Sequence, residues 1–425
     1  MRDRMLRCSG AIGLARFEVT RKSRIALAAI EEDNIREFWS PVVIKNANPL
    51  LRGKGHLYGL DLLRLSAAAL VVLNHFGAFS AVVADVGKPF AFPALNFMTM
   101  FGWVGVEIFF VISGFVIALS ARGASPSGFL KRRALRIFPA LWVCSLVSLV
   151  ALTTTNIPVG ELMVSFVHSI ILSPRGPYVD GVVWSLIVEA VFYLLIWLVL
   201  LSRGFHHLDK VAATLAIASV AFLSIYCLAV VFEHSPWAAG IVSVFERFVF
   251  KVFLLRYGVF FALGMTLWLG FEYGFTRNRR ILVCFAALFG AVEIGIQAGS
   301  DSTQAVFASA IPPFEAIIIP IMVWSVGTMA LVASVFYRAE ISDVLKPRSA
   351  LVTKLGLLTF PLYLNHYTLG RVMTYGLISA HLARPAVLAI SLGLICGSSW
   401  LIMMIPEPAI QAGFRKVLKL GPAAG

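Results

Sequence analysis

Residues 102–117 read GWVGVEIFFVISGFVI, an apolar run broken by a single ionisable group, Glu107. Extended to 96–119, the run exceeds the ~20 apolar residues that a helix needs to cross a bilayer. Similar runs lie at 60–80, 138–154, 183–201, 211–232, 252–271, 281–297, 314–335, 352–371 and 386–405. A shorter run at 162–172 (LMVSFVHSIIL) is too short to cross alone and predicts a re-entrant or surface helix, or part of an eleventh span. Composition agrees. Of 425 residues, 59% are hydrophobic and only 14% charged, whereas a soluble chain carries about 25% charged residues to meet water. The expectation is an all-α polytopic membrane protein, a bundle of about ten (10–11) transmembrane helices.

Charge placement gives the bundle a direction. The net charge is +14, and its cations fall in alternate connections. Residues 1–55 hold Arg2 to Lys54. Later clusters are Arg122 with Lys131, Arg132, Arg133 and Arg136; Arg203 with Lys210; Arg277, Arg279 and Arg280; and Arg338, Lys346 and Arg348, with Arg415, Lys416 and Lys419 at the end. The intervening connections are poorer in cations. This positive-inside asymmetry predicts both termini in the cytoplasm and an even number of spans, and it removes any need for a nucleic-acid partner. The expected organisation is a cytoplasmic extension over 1–55, a membrane domain over 56–405 and a short cytoplasmic tail over 406–425. No signal peptide is expected, since residues 1–50 contain no apolar core followed by a small-residue cleavage site. Cys8, Cys144, Cys227, Cys284 and Cys396 stand singly, and the four within apolar runs read as buried small hydrophobes. No histidine pair has ligand spacing such as HExxH, so no metal is expected.

Ionisable side chains at membrane depth are costly and usually face a bundle interior, which makes them the guides to function. The first span contains GLDLLRLSAAALVVLNHF. Asp61 and Arg64 are three apart and share a helix face. His75 follows Arg64 by about three helical turns, a rise of about 16 Å on nearly the same face. Glu107 is expected near the midplane of its span, with Gly102, Gly105 and Gly114 permitting close helix approach. KRRALRIFPALW (131–142) reads as a connection in which Arg132 and Arg136 share a face and Pro139 starts the next helix. Arginines so grouped also match phosphate oxygens. Glu189 and Tyr193 share a face of the fourth span, and Tyr363 and His366 lie together in the ninth. The derived orientation puts His75, Glu189 and His366 at similar depth. By composition alone, a transporter of a polar glycan or small anion fits as well, although no repeat relates the two halves.

Taken together, the Asp61–Arg64 pair with its R-x10-H arrangement ending at His75, GWVGVEIFFVISGFVI, RRALRIFP, WSLIVEAVFY and PLYLNH resemble the membrane-bound acyltransferase 3 family, which includes polysaccharide and lipopolysaccharide O-acetyltransferases. The resemblance covers roughly residues 55–405. It implies a transmembrane O-acyltransferase of the bacterial inner membrane. The acyl group, acetyl or another, would pass from cytoplasmic acyl-CoA to a hydroxyl of an extracytoplasmic glycan or lipid-linked sugar. His75 matches the family's proposed catalytic histidine. Arg132, Arg133 and Arg136 match its cytoplasmic arginine motif, and Glu107 occupies an acidic position often filled by Asp. Asp61, Arg64, Glu189, Tyr193 and His366 also fall on motif positions. TFPLYLNH departs from the more usual Ser-Tyr opening of that motif.

Overall fold

A computed structural model describes residues 56–77, 95, 98–202, 204–232, 235–299 and 313–418. The expected extension over 1–55 lies outside the described residues. Among them the chain is helical and contains no strand. The elements are α1 (Tyr58–Phe76), α2 (Gly105–Ala121, entered through a 3-10 turn at Gly102–Val104), α3 (Pro126–Leu152), α4 (Val159–Ile170), α5 (Val183–Leu201), α6 (Leu208–Val231), α7 (Pro236–Phe245) and α8 (Phe248–Val252). They continue with α9 (Gly258–Tyr273), α10 (Arg277–Ala298), α11 (Pro313–Phe336), α12 (Arg338–Leu345), α13 (Ser349–Asn365), α14 (Thr368–Ser379), α15 (Arg384–Met404) and α16 (Pro406–Val417).

Eight helices among the described residues are long and apolar enough to cross a membrane. They are α1, α2, α3, α5, α6, α10, α11 and α15, the last continuing into α16. The bundle is thus an all-α multi-pass membrane protein. Its exterior is apolar: Phe285 and Leu288 on α10, Met322, Val326 and Met329 on α11, and Leu394 and Leu401 on α15 are all exposed. Lipid can accept these side chains, and water would not.

The centre is α9, buried from Gly258 to Glu272. A helix apolar on every face belongs inside other helices. It crosses α2 at two glycines. A Cβ on Gly264 would stand 2.0 Å from the Val111 carbonyl oxygen, and one on Gly114 would stand 2.2 Å from that of Phe261. Small residues at a crossing let two backbones touch, which is how helices gain packing where lipid supplies no hydrophobic drive.

Several expected boundaries move, each for a local reason. The 96–119 span is interrupted: Met98 and Thr99 are helical, the chain turns at Met100 and Phe101, and helix resumes from Gly102, with Asn74 on α1 donating to the carbonyls of Thr99 (2.9 Å) and Met100 (3.0 Å) at the break. Glu107 is in the first turn of α2. The 252–271 span begins at Gly258, since Leu254 takes a left-handed conformation (φ 61°) that ends α8. The 352–371 span stops at Asn365 and restarts as α14 at Thr368. Pro139 does not start a helix: α3 opens at Pro126, capped by the Ser125 hydroxyl accepting from the Gly128 N–H (3.2 Å), and Pro139 sits in its interior. The run at 162–172 contributes to α4, whose 12 residues rise only about 18 Å, short of the ~30 Å hydrocarbon core. Residues expected as a plain tail form α16, on which Glu407 is buried. Of the described cysteines only Cys144 is buried; Cys284 and Cys396 are exposed on the apolar exterior.

Candidate functional site

Two histidines from distant parts of the chain meet. His75 ends α1, and His366 follows α13 directly. His75 Nδ1 and His366 Nε2 lie 2.9 Å apart. His366 Nδ1 lies 2.7 Å from the Tyr363 carbonyl oxygen. A carbonyl can only accept, so the proton of a neutral His366 is on Nδ1 and its Nε2 carries the lone pair. His75 Nδ1 must then donate to His366 Nε2, which leaves the lone pair of His75 on Nε2. Two hydrogen bonds fix both tautomers. His366 is fully buried, while His75 keeps partial exposure. The ring of Tyr367 stands edge-on to His75 at 4.9 Å, and that of Tyr363 lies 5.7 Å from His366.

From this pair a line of polar groups runs down the bundle interior. The Tyr363 hydroxyl lies 2.6 Å from Ser185 Oγ at the start of α5. One turn further along α5 is Glu189, about 6 Å deeper. Its Oε1 accepts from the Tyr193 hydroxyl at 2.6 Å and from Ser113 Oγ on α2. Another turn on, the Tyr193 ring lies under the Arg133 guanidinium, 5.7 Å from its centroid. Arg64 is within Coulombic range of Tyr193, Glu189 and Arg136 as well as Asp61. Arg136 stands over the Phe360 ring at 4.8 Å. The line therefore joins an arginine-bearing end (Arg64, Arg133, Arg136) to a histidine-bearing end, about 16 Å apart along α1.

Not every expected residue joins it. Glu189 shares no hydrogen bond with His75; its partners are Ser113 and Tyr193. Arg132 is exposed on α3, whereas Arg133 and Arg136 are half-buried. Asp61 is buried and accepts from His56 and from Arg64 (3.4 Å), so it anchors the start of α1. Gly356 makes room for it, since a Cβ there would stand 2.6 Å from the Asp61 carboxyl carbon. Glu107 lies within Coulombic range of Glu293, Arg256 and Lys251, and also of Tyr363 on the line.

Ser113, in ISGF, reads from the sequence as a packing or hydrogen-bonding residue, and it bonds Glu189. Asp180 is not marked by the sequence reading; it lies in the connection before α5, where a VDG turn ahead of an apolar span is the local signal. Its Oδ1 accepts from the Val182 N–H (3.1 Å), and its Oδ2 accepts from the Thr368 N–H (3.1 Å) and Ser148 Oγ (3.3 Å). Burial pushes the Asp180 carboxyl up to about 6, against the pull of these hydrogen bonds. Among the described residues no group of three or more His, Cys, Asp or Glu side chains could hold a metal ion.

Comparison with known proteins gives this geometry a context. A family model described as an acyltransferase domain matches residues 57–404. Nodulation protein 10 of Rhizobium leguminosarum bv. viciae is 33% identical over 163 residues, covering 33% of this chain and 43% of that protein. An O-acetyl transferase of Shigella phage Sf6 is 42% identical over 89 residues, covering 21% of this chain and 24% of the relative. The chain thus aligns with less than half the length of either relative. No solved structure matches.

Proposed function

The chain belongs to the acyltransferase 3 family, and on that premise we propose that it passes an acyl group, in the first instance acetyl, from cytoplasmic acyl-CoA to a hydroxyl of an extracytoplasmic glycan or lipid-linked sugar. As a multi-pass membrane acyltransferase it would sit in the bacterial inner membrane with both ends inside. The observation that carries the reading is the His75–His366 pair at one end of an interior polar line that begins at arginines.

In this proposal Arg133 and Arg136 grip the phosphates of CoA at the cytoplasmic mouth, with Arg132 at its rim and Arg64 steering the thioester inward. Guanidinium groups suit that task because they stay charged and present a planar fork of donors. The acceptor hydroxyl enters from the other end. His75 Nε2 takes its proton as the oxygen attacks the thioester carbonyl carbon. The C–S bond then breaks, and the thiolate leaves and takes up a proton as free CoA. An imidazolium formed on His75 is stabilised through its Nδ1–H bond to His366 Nε2, since a hydrogen bond from a charged donor is about twice as strong as a neutral one. His366 orients the base, its own tautomer held by the Tyr363 carbonyl. Glu189 and Tyr193 line the path between the two ends. The O-acetyl transferase name of the phage relative supports an O-linked product.

The test supplies isotope-labelled acetyl-CoA to the cytoplasmic face of membrane vesicles containing the protein and an envelope glycan extract. Label on glycan hydroxyls, absent without the protein, is the expected result. Glycan movement across the vesicle that does not depend on CoA, with no label transferred, would instead mark a transporter.

A further inference from the structure

The His75–His366 pair depends on a discontinuity in the helix that carries it. α13 ends at Asn365 and α14 begins at Thr368, so His366 and Tyr367 occupy the break between them. A helix start leaves backbone N–H groups without intrahelical acceptors, and at this one a side chain from a distant connection supplies the acceptor. Asp180 Oδ2 takes the Thr368 N–H at 3.1 Å, and the Thr368 hydroxyl returns a bond to the Val179 carbonyl at 2.9 Å. The adjacent Gly181 lies directly against Tyr367: a Cβ there would stand 2.5 Å from Tyr367 Cε1. Tyr367 in turn meets the His75 ring edge-on. The 179–182 connection therefore touches the segment on either side of His366. It is itself anchored, because Ser148 on α3 donates to Asp180 and the Val179 N–H donates to Ser169 Oγ (3.0 Å) at the end of α4.

We propose that Asp180 is the positioning residue of the histidine pair, fixing His366 and Tyr367 against His75 by pinning the break between α13 and α14. Asp180 reaches the reaction only through other residues. Its three bonds reach three elements, namely α3, the start of α5 and the start of α14, so the carboxylate sets the position of the break relative to two other helices. A carboxylate suits this place better than an amide. Both oxygens accept backbone N–H groups, and an Asn would set its NH2 against one of them. The need is geometric: a base must be held within hydrogen-bond reach of the proton it takes.

The inference rests on His75 and His366 acting as a pair, but its primary readout does not depend on acyl transfer. The purified full-length protein in detergent is treated with diethyl pyrocarbonate, and modification of His75 and His366 is followed by peptide mass spectrometry. In the unaltered protein His366, buried and bonded on both ring nitrogens, should react slowly. Asp180→Asn should raise the rate at one or both histidines severalfold while the thermal transition and the monodispersity on size exclusion stay close to the parent's. In cells it should lower acyl transfer per molecule of inserted protein. Unchanged reactivity at both histidines in a folded Asp180→Asn protein overturns the proposal, whatever happens to transfer. If that variant does not insert, Ser148→Ala and Thr368→Val each remove one hydroxyl and keep the carboxylate on the Thr368 N–H. A smaller increase at the same histidines supports the proposal, and no change in either variant contradicts it. A histidine response with no activity in any protein, parent included, would leave the positioning intact and count against the acyltransfer reading alone.

Discussion

Arg256 and Arg133 both lie against aromatic rings inside this bundle, and the chain surrounds them in opposite ways. Arg256 is 4% exposed; its Nε donates to Glu293 Oε1 at 2.9 Å and its Nη2 to Gln297 Oε1 at 2.6 Å. Its guanidinium also faces the rings of Tyr226 and Tyr257 at 5.5 and 5.8 Å. Arg133 is half-buried between Phe129 and Tyr193, each 5.7 Å away, and its Nε has no hydrogen-bond partner. A buried donor left without an acceptor costs about 1–3 kcal/mol. An arginine with its donors filled by the protein braces the scaffold. One that keeps a donor unfilled at the end of a polar line is not serving the scaffold alone, which fits the proposed grip on CoA phosphates.

The largest effect should come from breaking the filled site. Arg256→Ala strands the Glu293 carboxylate in the core and should cost about 3–5 kcal/mol, read as a fall in thermal midpoint and in the amount of protein inserted. The double change Arg256→Met with Glu293→Met should recover most of that loss, since apolar residues of similar volume often replace a buried ion pair without cost. A single variant as stable as the parent would show that the pair braces nothing.

The unfilled arginine should respond in the other currency. Arg133→Gln should leave the thermal midpoint nearly unchanged and raise the acyl-CoA concentration needed for half-maximal transfer. Loss of a charged hydrogen bond worth about 1.5–3 kcal/mol corresponds to roughly 10- to 100-fold. An unchanged donor dependence would assign Arg133 to topology alone. Arg132, exposed one residue earlier on α3, should matter least. Arg132→Gln should stay within about 0.5 kcal/mol in stability and shift donor dependence far less than Arg133→Gln does. Equal effects from the two would erase the distinction that the geometry draws between them.

The fold was legible in the sequence wherever it depends on which solvent a side chain meets. Apolar runs and alternating cations mark the membrane helices because lipid and water sort residues by type. Breaks within those runs are not visible this way. The left-handed turn at Leu254 and the interruption at His366 cost no hydropathy. The second carries a bond from the Thr368 N–H to Asp180, whose separation of 188 residues from Thr368 leaves no local pattern. The helical spacing from Arg64 to His75 and the shared depth of His75 and His366 are properties of single helices, and both anticipate the site. Glu189 shows the limit of depth as a guide. It lies on the right helix, yet one turn beyond Ser185 its partners become Ser113 and Tyr193 rather than a histidine. Pro139 shows the limit of a residue preference: proline favours a helix start, but Ser125 and Pro126 already provide one.

In the proposed reaction everything turns on His75 taking the proton of the acceptor hydroxyl. The mass of acyl groups on envelope glycans tests this most directly, in cells carrying either the parent or His75→Ala, with both inserted in the membrane at matched levels. His75→Ala should reduce the acyl signal to that of cells without the protein. Acylation near the parent level would contradict it.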